Sequence, residues 1–267
     1  LKSRLKKVTS GRSDEIMAMN FHSFGNHLLN KYYSELGYDK VPMLLDIEEI
    51  YSLIKQIIVS KSDILMSMKL RKEPFSQIKN LKGIFDRFRD ELLDEDFLMD
   101  KMNQLRIQNS DDQDEQEISY QYIDYINIYM NYQKLKVDNS WIDYGDMIIA
   151  SWRAVKNEKI LSDYQRDIKH VVIDEFQDNN YALNEIVKHI ISKTHSLTVV
   201  GDGDQSIYSF RGANLNAIDY FREHYSHITD YKEISLDINY RSSQNILDLA
   251  HSSISYNKNR IKTAPLK

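Results

Sequence analysis

The sequence contains no cysteine, and this absence excludes disulfides, zinc fingers and any metal site built from thiolates. Only three prolines and eight glycines occur among 267 residues, which leaves little room for linkers of low complexity. No apolar stretch approaches the length of a membrane span, and no signal-peptide core follows the basic residues 1–7. We therefore expect a helix-rich globular protein that is soluble, intracellular and cytoplasmic.

The chain also lacks a net positive charge, because its 40 acidic residues outnumber its 35 Lys and Arg residues. The formal net charge is −5 at pH 7, whereas a nucleic-acid partner requires a cationic surface, although a local groove can be basic on an acidic protein. The chain does not begin with methionine, and Leu1, Leu5 and Val8 recur at helical spacing. We interpret the sequence as an internal fragment that starts inside a helix.

Helical periodicity dominates the first half of the chain. The apolar spacing predicts a helix over residues 20–35, which should end near Gly37 and Pro42. Residues 45–136 repeat such patterns without a clear strand, and the acidic residues 110–115 are expected to form a solvated loop between two helices. A tyrosine-rich stripe follows, and we expect it to face the core rather than to stack on bases. Its members are Tyr122, Tyr125, Ile126, Tyr129 and Tyr132.

From about residue 143 the pattern becomes α/β. Residues 171–173 and 197–200 predict two buried strands, with an apolar helix pattern over residues 183–191 between them. This is one βαβ unit, and its strands should be parallel because such crossovers connect strands that run in the same direction. The carboxylates that follow the two strands, at residues 174–175 and at Asp202, should therefore lie at the same edge of the sheet.

The adjacent acids Asp174 and Glu175 are the most informative feature of the chain. In open α/β sheets ligands bind beyond the carboxyl ends of the strands, and Mg²⁺ on nucleotide phosphates takes one or two carboxylates. The pair therefore predicts a site for ATP and Mg²⁺. An Asp-Glu pair after three apolar residues is nevertheless common, so the pair alone does not decide the function.

Further groups of suitable chemistry follow the second strand and lie near the end of the chain. Gly201 and Gly203 permit close approach of the backbone, and Gln205 offers an amide that could orient a water or contact a phosphate oxygen. Tyr240 offers a ring for an adenine base, and Arg241 offers a cationic fork for phosphate. Taken individually, turn glycines and surface polar residues explain these positions about as well.

Three segments in this order carry a resemblance to a known family. DEFQD at 174–178, GDGDQSIYSFRGA at 201–213 and NYRS at 239–242 resemble motifs II, III and IV of the UvrD/Rep/PcrA family of superfamily 1 DNA helicases. NFHSF at 20–24 is similar to the TFHS segment of that family, and DYGDM at 143–147 is similar to its DFDDL segment. The resemblance covers nearly the whole chain and is weakest in the helical region.

The resemblance implies a RecA-like α/β P-loop core with an incomplete parallel sheet and an all-helical insertion domain. It implies four parts of the chain: residues 1–44 in domain 1A, residues 45–142 as the helical insertion 1B, residues 143–234 as the 1A core with motifs II and III, and residues 235–267 as the start of domain 2A with motif IV. Because the opening strand of the sheet would be missing, an exposed sheet edge and self-association of the fragment are expected.

The resemblance also implies roles in ATP hydrolysis for five residues. Asp174, with Glu175, would hold Mg²⁺, and Glu175 would activate the attacking water as general base. Gln205 would sense the γ-phosphate. Tyr240 would stack on adenine, and Arg241 would stabilise the charge on the transferred phosphoryl group as an arginine finger.

A second set of residues would contact DNA. Tyr208 and Phe210 would stack on the bases of a single strand, His22 and Ser23 would touch the strand, and Arg211 would tie motif III to the nucleotide pocket. Stacking tolerates any base sequence, as a translocating motor requires. The implied partners are single-stranded DNA and junctions between single-stranded and duplex DNA.

The chain departs from the family pattern in several places. Phe210 stands where several members have Trp, Gly145 replaces an acidic residue, and Asn20 replaces the usual Thr. None of the eight glycines is followed by lysine, so the Gly-x-x-x-x-Gly-Lys-Ser/Thr phosphate cradle is missing. Family members place this cradle before the point where the chain begins, and motifs V and VI would follow Lys267. We therefore expect the fragment alone to hydrolyse ATP negligibly.

The combined interpretation is a fragment of an ATP-dependent 3′–5′ DNA helicase or translocase of DNA repair or replication. Two alternatives remain. Another P-loop ATPase could share the acidic strand end, but it would not explain the segment from Gln205 to Ala213. A non-enzymatic module that binds nucleic acid or a protein partner could descend from a degenerate helicase.

Overall fold

The computed structural model describes residues 2–9, 12, 15–107, 112–191, 196–207, 217–227, 230–257 and 266. These residues form twelve α-helices and four short strands. The helices are α1 Lys2–Val8, α2 Phe21–Tyr32, α3 Ile47–Ser60, α4 Met68–Lys72, α5 Ile78–Asp90, α6 Glu95–Ile107, α7 Gln113–Asn139, α8 Tyr144–Lys156, α9 Glu158–Asp167, α10 Tyr181–Ile191, α11 Ala217–Tyr225 and α12 Gln244–Ile254. The strands are β1 Met43–Leu44, β2 Trp141–Ile142, β3 His170–Ile173 and β4 Ser196–Val199.

Helix α2 begins where its sequence supplies a cap and packs closely on α8. The side chain of Asn20 accepts a hydrogen bond from the backbone N–H of Ser23 at 2.8 Å, so Asn20 serves as the N-cap. Gly25 lies against the backbone of Met147 in α8, where any side chain would collide. The predicted helix over residues 20–35 is confirmed, although it ends earlier, at Tyr32.

Helices α3 to α7 share one hydrophobic core. Ile54, Phe85 and Tyr132 are fully buried in it. The prediction that the tyrosine-rich stripe faces the core is confirmed for Tyr125, Tyr129 and Tyr132, whereas Tyr122 remains about half exposed. In these helices the buried tyrosines therefore supply packing area rather than an open surface for bases.

The acidic segment before α7 corrects one expectation. Residues 110 and 111 lie outside the described part of the chain, but residues 113–115 belong to the first turn of α7 and not to a loop. Asp112 is the N-cap, and its side chain accepts a hydrogen bond from the N–H of Asp114 at 2.8 Å. Acidic side chains stabilise the first turn of a helix because they complement its partial positive charge. The charge run is therefore a helix start.

A short parallel pairing joins the two ends of the helical region. Strand β1 pairs with β2, with Met43 opposite Trp141 and Leu44 opposite Ile142. The pattern of the sequence predicted neither strand, because two residues carry no readable periodicity. The helical region between β1 and β2 therefore begins and ends at neighbouring positions.

A buried ionic cluster lies where α5 and α7 meet the start of α8. The guanidinium of Arg89, 1% exposed, donates through Nη1 to both carboxylate oxygens of Asp143 at 2.8 Å. The Lys136 ammonium lies 2.5 Å from Asp146 Oδ2, and the hydroxyl of Tyr132 donates to Asp143 Oδ2 at 2.7 Å. Burial alone would raise the pKa of Asp143, but the charges of Arg89 and Lys136 outweigh it and hold the pKa well below its usual range.

The cluster explains why position 145 is glycine. A Cβ on Gly145 would overlap Nε and Cζ of Arg89 and lie 2.9 Å from its Nη2. The guanidinium cannot move aside, because Asp86 and Asp143 hold it from two directions. The absence of a side chain at position 145 therefore allows Arg89 to lie flat against the first turn of α8.

The predicted βαβ unit is confirmed in the last part of the chain. Strands β3 and β4 are parallel and in register from His170 with Ser196 to Ile173 with Val199, and α10 connects them. Each strand begins one residue earlier than the sequence pattern predicted. Ile173 packs in a small cluster with Phe176 beneath α10 and α11. Within the described residues, none of the helices combines the length and apolar character needed to cross a membrane.

A polar contact connects α5 to the loop that precedes α10. The side-chain amide of Asn180 donates to Asp90 Oδ1 at 2.7 Å, and the Asn180 carbonyl oxygen Oδ1 accepts from the N–H of Leu183 in the first turn of α10. Burial, followed by the nearby charge of Asp86, raises the pKa of Asp90 to about 6. Asp90 is therefore charged at neutral pH, and this partly buried charge lowers the free energy of unfolding.

Replacement of Asp90 by asparagine is expected to stabilise the protein at high pH only. Because the folded pKa lies above the ordinary value of 3.8, stability falls as pH rises from about 4 to about 6 and stays lower above that range. Asp90→Asn should raise the free energy of unfolding by about 1 kcal/mol at about pH 8, a value reduced for partial solvation, and should have little effect near pH 4. Urea denaturation at both pH values measures this. Asp39→Asn, at an exposed position, is the control, and an equal gain at both pH values would contradict the assignment.

Candidate functional site

The ends of β3 and β4 lie side by side. The N–H of Val200 donates to the carbonyl of Ile173 at 2.8 Å, and the N–H of Phe176 donates to the carbonyl of Val200 at 2.9 Å. Between them Asp174 and Glu175 leave the strand with exposed side chains, as the parallel arrangement predicted. The two acids therefore do not point into the apolar core, and they share the sheet edge with Asp202.

Glu175 has an unusual backbone. Its φ of 54° and ψ of 43° lie in the left-handed region, which costs energy for a residue with a Cβ. Its N–H donates to Asp174 Oδ1 at 3.0 Å. This conformation ends the strand and leads the chain into the 3-10 turn Phe176–Asp178.

A side chain that the sequence analysis did not single out connects the two strand ends. Gln177, 2% exposed, donates through Nε2 to Glu175 Oε2 at 2.7 Å. Its Oε1 accepts from the backbone N–H of Asp202 at 3.0 Å. The only signal in the sequence was its place inside the DEFQD segment, because a lone glutamine has no distinguishing pattern.

The connection continues to Gln205. Asp202 Oδ2 accepts from Gln205 Nε2 at 2.9 Å, and Asp202 Oδ1 accepts from the N–H of Asp204 at 3.1 Å. A continuous hydrogen-bonded path therefore runs from Glu175 through Gln177 and Asp202 to Gln205. The structure brings together three of the predicted residues, Asp174, Glu175 and Gln205, at one edge of the sheet.

A third carboxyl group lies close to this path. Burial, followed by the charge of Glu175, raises the pKa of Asp178. Its Oδ1 is buried and has no hydrogen-bond partner among the described residues. Within those residues, no group of three or more His, Asp or Glu side chains is arranged to enclose a metal ion.

Tyr240 and Arg241 are not brought to this edge. Among the described residues no hydrogen bond, ion pair or ring contact joins either side chain to Asp174, Glu175 or Gln205, and Tyr240 is 91% exposed. The Asn239 side chain accepts the N–H of Arg241 at 2.8 Å, so a local turn positions this segment just before α12. The motif resemblance implies one nucleotide pocket for Asp174, Glu175, Gln205 and Arg241. The described contacts connect the first three and do not include Arg241.

The predicted DNA contacts are divided between described and undescribed residues. His22 and Ser23 are exposed on the first turn of α2, and the His22 ring meets that of Tyr144 edge-on, with centroids 5.8 Å apart. Burial lowers the pKa of His22, with the charge of Asp86 acting against it. The remaining three, Tyr208, Phe210 and Arg211, lie outside the described residues.

Comparison with known proteins identifies the family. The family model for the UvrD/REP helicase N-terminal domain matches residues 1–226. The chain belongs to this family. It is similar to a probable DNA helicase II homolog of Mycoplasma genitalium, with 29% identity over 248 residues, which are 92% of this chain and 33% of that protein. It is also similar to the ATP-dependent DNA helicase PcrA of Bacillus subtilis, with 28% identity over 264 residues, 97% of this chain and 32% of that protein.

Family membership confirms the resemblance drawn from the motif segments. A probable DNA helicase II homolog of Mycoplasma capricolum is 41% identical over 134 residues, 50% of this chain and 18% of that protein. The chain spans about a third of the length of the first two helicases, 33% and 32%. The range matched to the UvrD/REP domain includes the path from Glu175 to Gln205 and ends before Tyr240.

Proposed function

We propose that the chain carries part of the ATP-hydrolysing site of a DNA helicase that moves 3′–5′ along single-stranded DNA. The observation that supports this most directly is the hydrogen-bonded path from Glu175 to Gln205 at the ends of two parallel strands. Ligands of open α/β sheets bind at this kind of edge. Two of the similar proteins carry names that describe them as DNA helicases, one of them ATP-dependent.

We propose the following division of the chain. Residues 1–44 and 143–234 form the RecA-like core 1A, residues 45–142 form the helical insertion 1B, and residues 235–267 begin domain 2A. The pairing of β1 with β2 supports the insertion, because its ends then lie side by side. The separate hydrophobic core of α3 to α7 supports it as well.

The acids at the strand end suit a nucleotide with Mg²⁺. The carboxylate of Asp174 is exposed, and a hard cation prefers such oxygen ligands. Asp174, with Glu175, would hold the ion, which when bound neutralises charge on the phosphates. Glu175 would accept the proton of the attacking water as general base, and Gln205 would contact the γ-phosphate. Tyr240 would stack on adenine, and Arg241 would stabilise the charge on the transferred phosphoryl group.

The DNA-binding proposal rests on the exposed first turn of α2 and the segment after Gln205. His22 and Ser23 would touch the strand, Tyr208 and Phe210 would stack on bases, and Arg211 would link this surface to the nucleotide. The partners would be single-stranded DNA and its junctions with duplex DNA. The chain alone would be catalytically incompetent, because none of its eight glycines is followed by the lysine of a phosphate cradle.

An ATPase assay tests the proposal in two proteins, this chain and the complete gene product that contains it. The complete product should hydrolyse ATP with stimulation by single-stranded DNA, and the chain alone should show negligible turnover. In the complete product Glu175→Gln should lower kcat by about 100-fold or more while ATP binding persists, because the general base is lost. Glu158→Gln, at an exposed position in the first turn of α9, should leave kcat unchanged.

Two results would contradict the proposal. Turnover by the chain alone that depends on Glu175 would show that no further phosphate cradle is needed. A complete gene product that binds DNA but hydrolyses no ATP would favour the non-enzymatic binding module instead.

A further inference from the structure

We infer that Gln177 is a positioning residue that fixes the Glu175 carboxylate for catalysis and couples it to the loop that carries Gln205. The inference rests on the proposed ATPase function and adds a residue to it. Gln177 is the only side chain among the described residues that bonds to both strand ends, through Glu175 Oε2 on one side and the Asp202 N–H on the other. It is buried, whereas the residues it joins face solvent or are half-buried.

The donor side of Gln177 acts on an otherwise mobile group. Glu175 is exposed, and its side chain has three rotatable bonds, so an unrestrained carboxylate would sample many orientations. The 2.7 Å hydrogen bond from a buried, immobile amide selects one of them. A general base must lie within hydrogen-bond reach of its water, so a fixed orientation raises the fraction of productive encounters.

The acceptor side carries the connection onward. Gln177 Oε1 binds the N–H of Asp202, whose carboxylate in turn holds the Gln205 amide. A displacement of Gln205 on contact with a phosphate would therefore reach Glu175 through two side chains. This is a physical route between the residue that contacts the γ-phosphate and the residue that activates water.

The orientation of the Gln177 amide is determined by its partners. The Glu175 carboxylate can only accept and the Asp202 N–H can only donate, so the nitrogen must face Glu175 and the oxygen must face Asp202. Glutamate at position 177 could satisfy Asp202 but not Glu175. Gly201 also matters, because a Cβ there would lie 2.7 Å from Gln177 Oε1 and displace the amide.

Kinetics of variants of the complete gene product test the inference. Gln177→Glu and Gln177→Leu should each lower kcat for ATP by about tenfold or more, with KM for ATP within about twofold, because chemistry and not binding is impaired. If Gln177 only tied the loop to the strand, Gln177→Glu would keep the acceptor for Asp202 and retain the wild-type kcat. Gln165→Leu is the matched control, since its amide donates to the carbonyl of Ile190 at 3.0 Å, away from this edge.

A double-mutant cycle and a second variant complete the test. In a Glu175→Gln background, Gln177→Leu should lower the single-turnover rate by less than a further factor of about two, because the general base that Gln177 positions is already removed. Gly201→Ala should cause a similar loss in kcat, because the new Cβ displaces the Gln177 amide without removing a buried side chain. Melting curves of all variants would reveal misfolding. A wild-type protein without ATPase activity would overturn this inference together with the proposed function. An active wild type with unimpaired Gln177→Glu would overturn this inference alone.

Discussion

Asp143→Asn is expected to lower the free energy of unfolding by about 3 to 5 kcal/mol, because it leaves two buried cations with too little counter-charge. Arg89 and Lys136 are both almost fully buried, and both contact Asp143. Asparagine keeps the shape of the side chain but loses the charge and turns part of it into a hydrogen-bond donor. Two carboxylates remain nearby, but Asp146 is already paired with Lys136, and Asp86 is partly exposed and shared with Lys82, so neither replaces the buried charge of Asp143.

Urea denaturation of the chain and its variants measures this loss. Asp138→Asn, an exposed position near the end of α7, is the control and should change stability by less than about 0.5 kcal/mol. The pH dependence supplies a second test. Because the folded pKa of Asp143 is depressed, its contribution is present above about pH 4 and is lost as pH falls below that value, so the variant should lack this part of the acid sensitivity. A loss below about 1 kcal/mol would show that the cluster contributes little net stability.

Gly25→Ala is expected to cost about 2 to 3 kcal/mol, because the added methyl group overlaps backbone and not a movable side chain. The new Cβ would lie on the carbonyl oxygen of Met147, 2.7 Å from its carbonyl carbon and 2.9 Å from its Cβ. Helix α2 would have to move away from α8, and the buried contacts of Leu28 and Leu29 would loosen with it.

Gly83 provides a matched control within the same protein. It lies inside α5, and a Cβ there would meet nothing within 4 Å. Gly83→Ala should therefore raise the free energy of unfolding by about 0.5 to 1 kcal/mol, as expected for a helix interior. Thermal melting of both variants would show shifts of opposite sign. Equal shifts would mean that the close approach of α2 to α8 does not govern stability.

The longer helices and the strands of the βαβ unit could be predicted because local patterns encode them. The βαβ unit followed from apolar runs bounded by carboxylates, and the parallel direction of its strands followed from the connection. The tyrosine stripe of α7 followed from helical spacing. The two-residue strands β1 and β2 could not be predicted, because they form only when distant parts of the chain meet.

The residues of the candidate site also fall into those that the sequence predicts and those that it does not. Asp174, Glu175 and Gln205 could be chosen from their positions after the strands and from the motif segments. Gln177 could not, because it connects the two strand ends through two hydrogen bonds, one of them from the backbone N–H of Asp202, 25 positions along the chain. The role of Arg89 likewise depends on Asp143, 54 positions away, and on the missing side chain of Gly145.

By itself the sequence determined the family, the parallel strand pair and the residue types available at its edge, since periodicity and motif spacing are local properties of the chain. Only the tertiary structure decided which polar groups meet. Hydrogen bonds and buried ion pairs act over about 3 Å, so their partners are selected by packing and not by separation along the chain. For that reason the link from Glu175 to Gln205 became visible only when β3 and β4 were side by side.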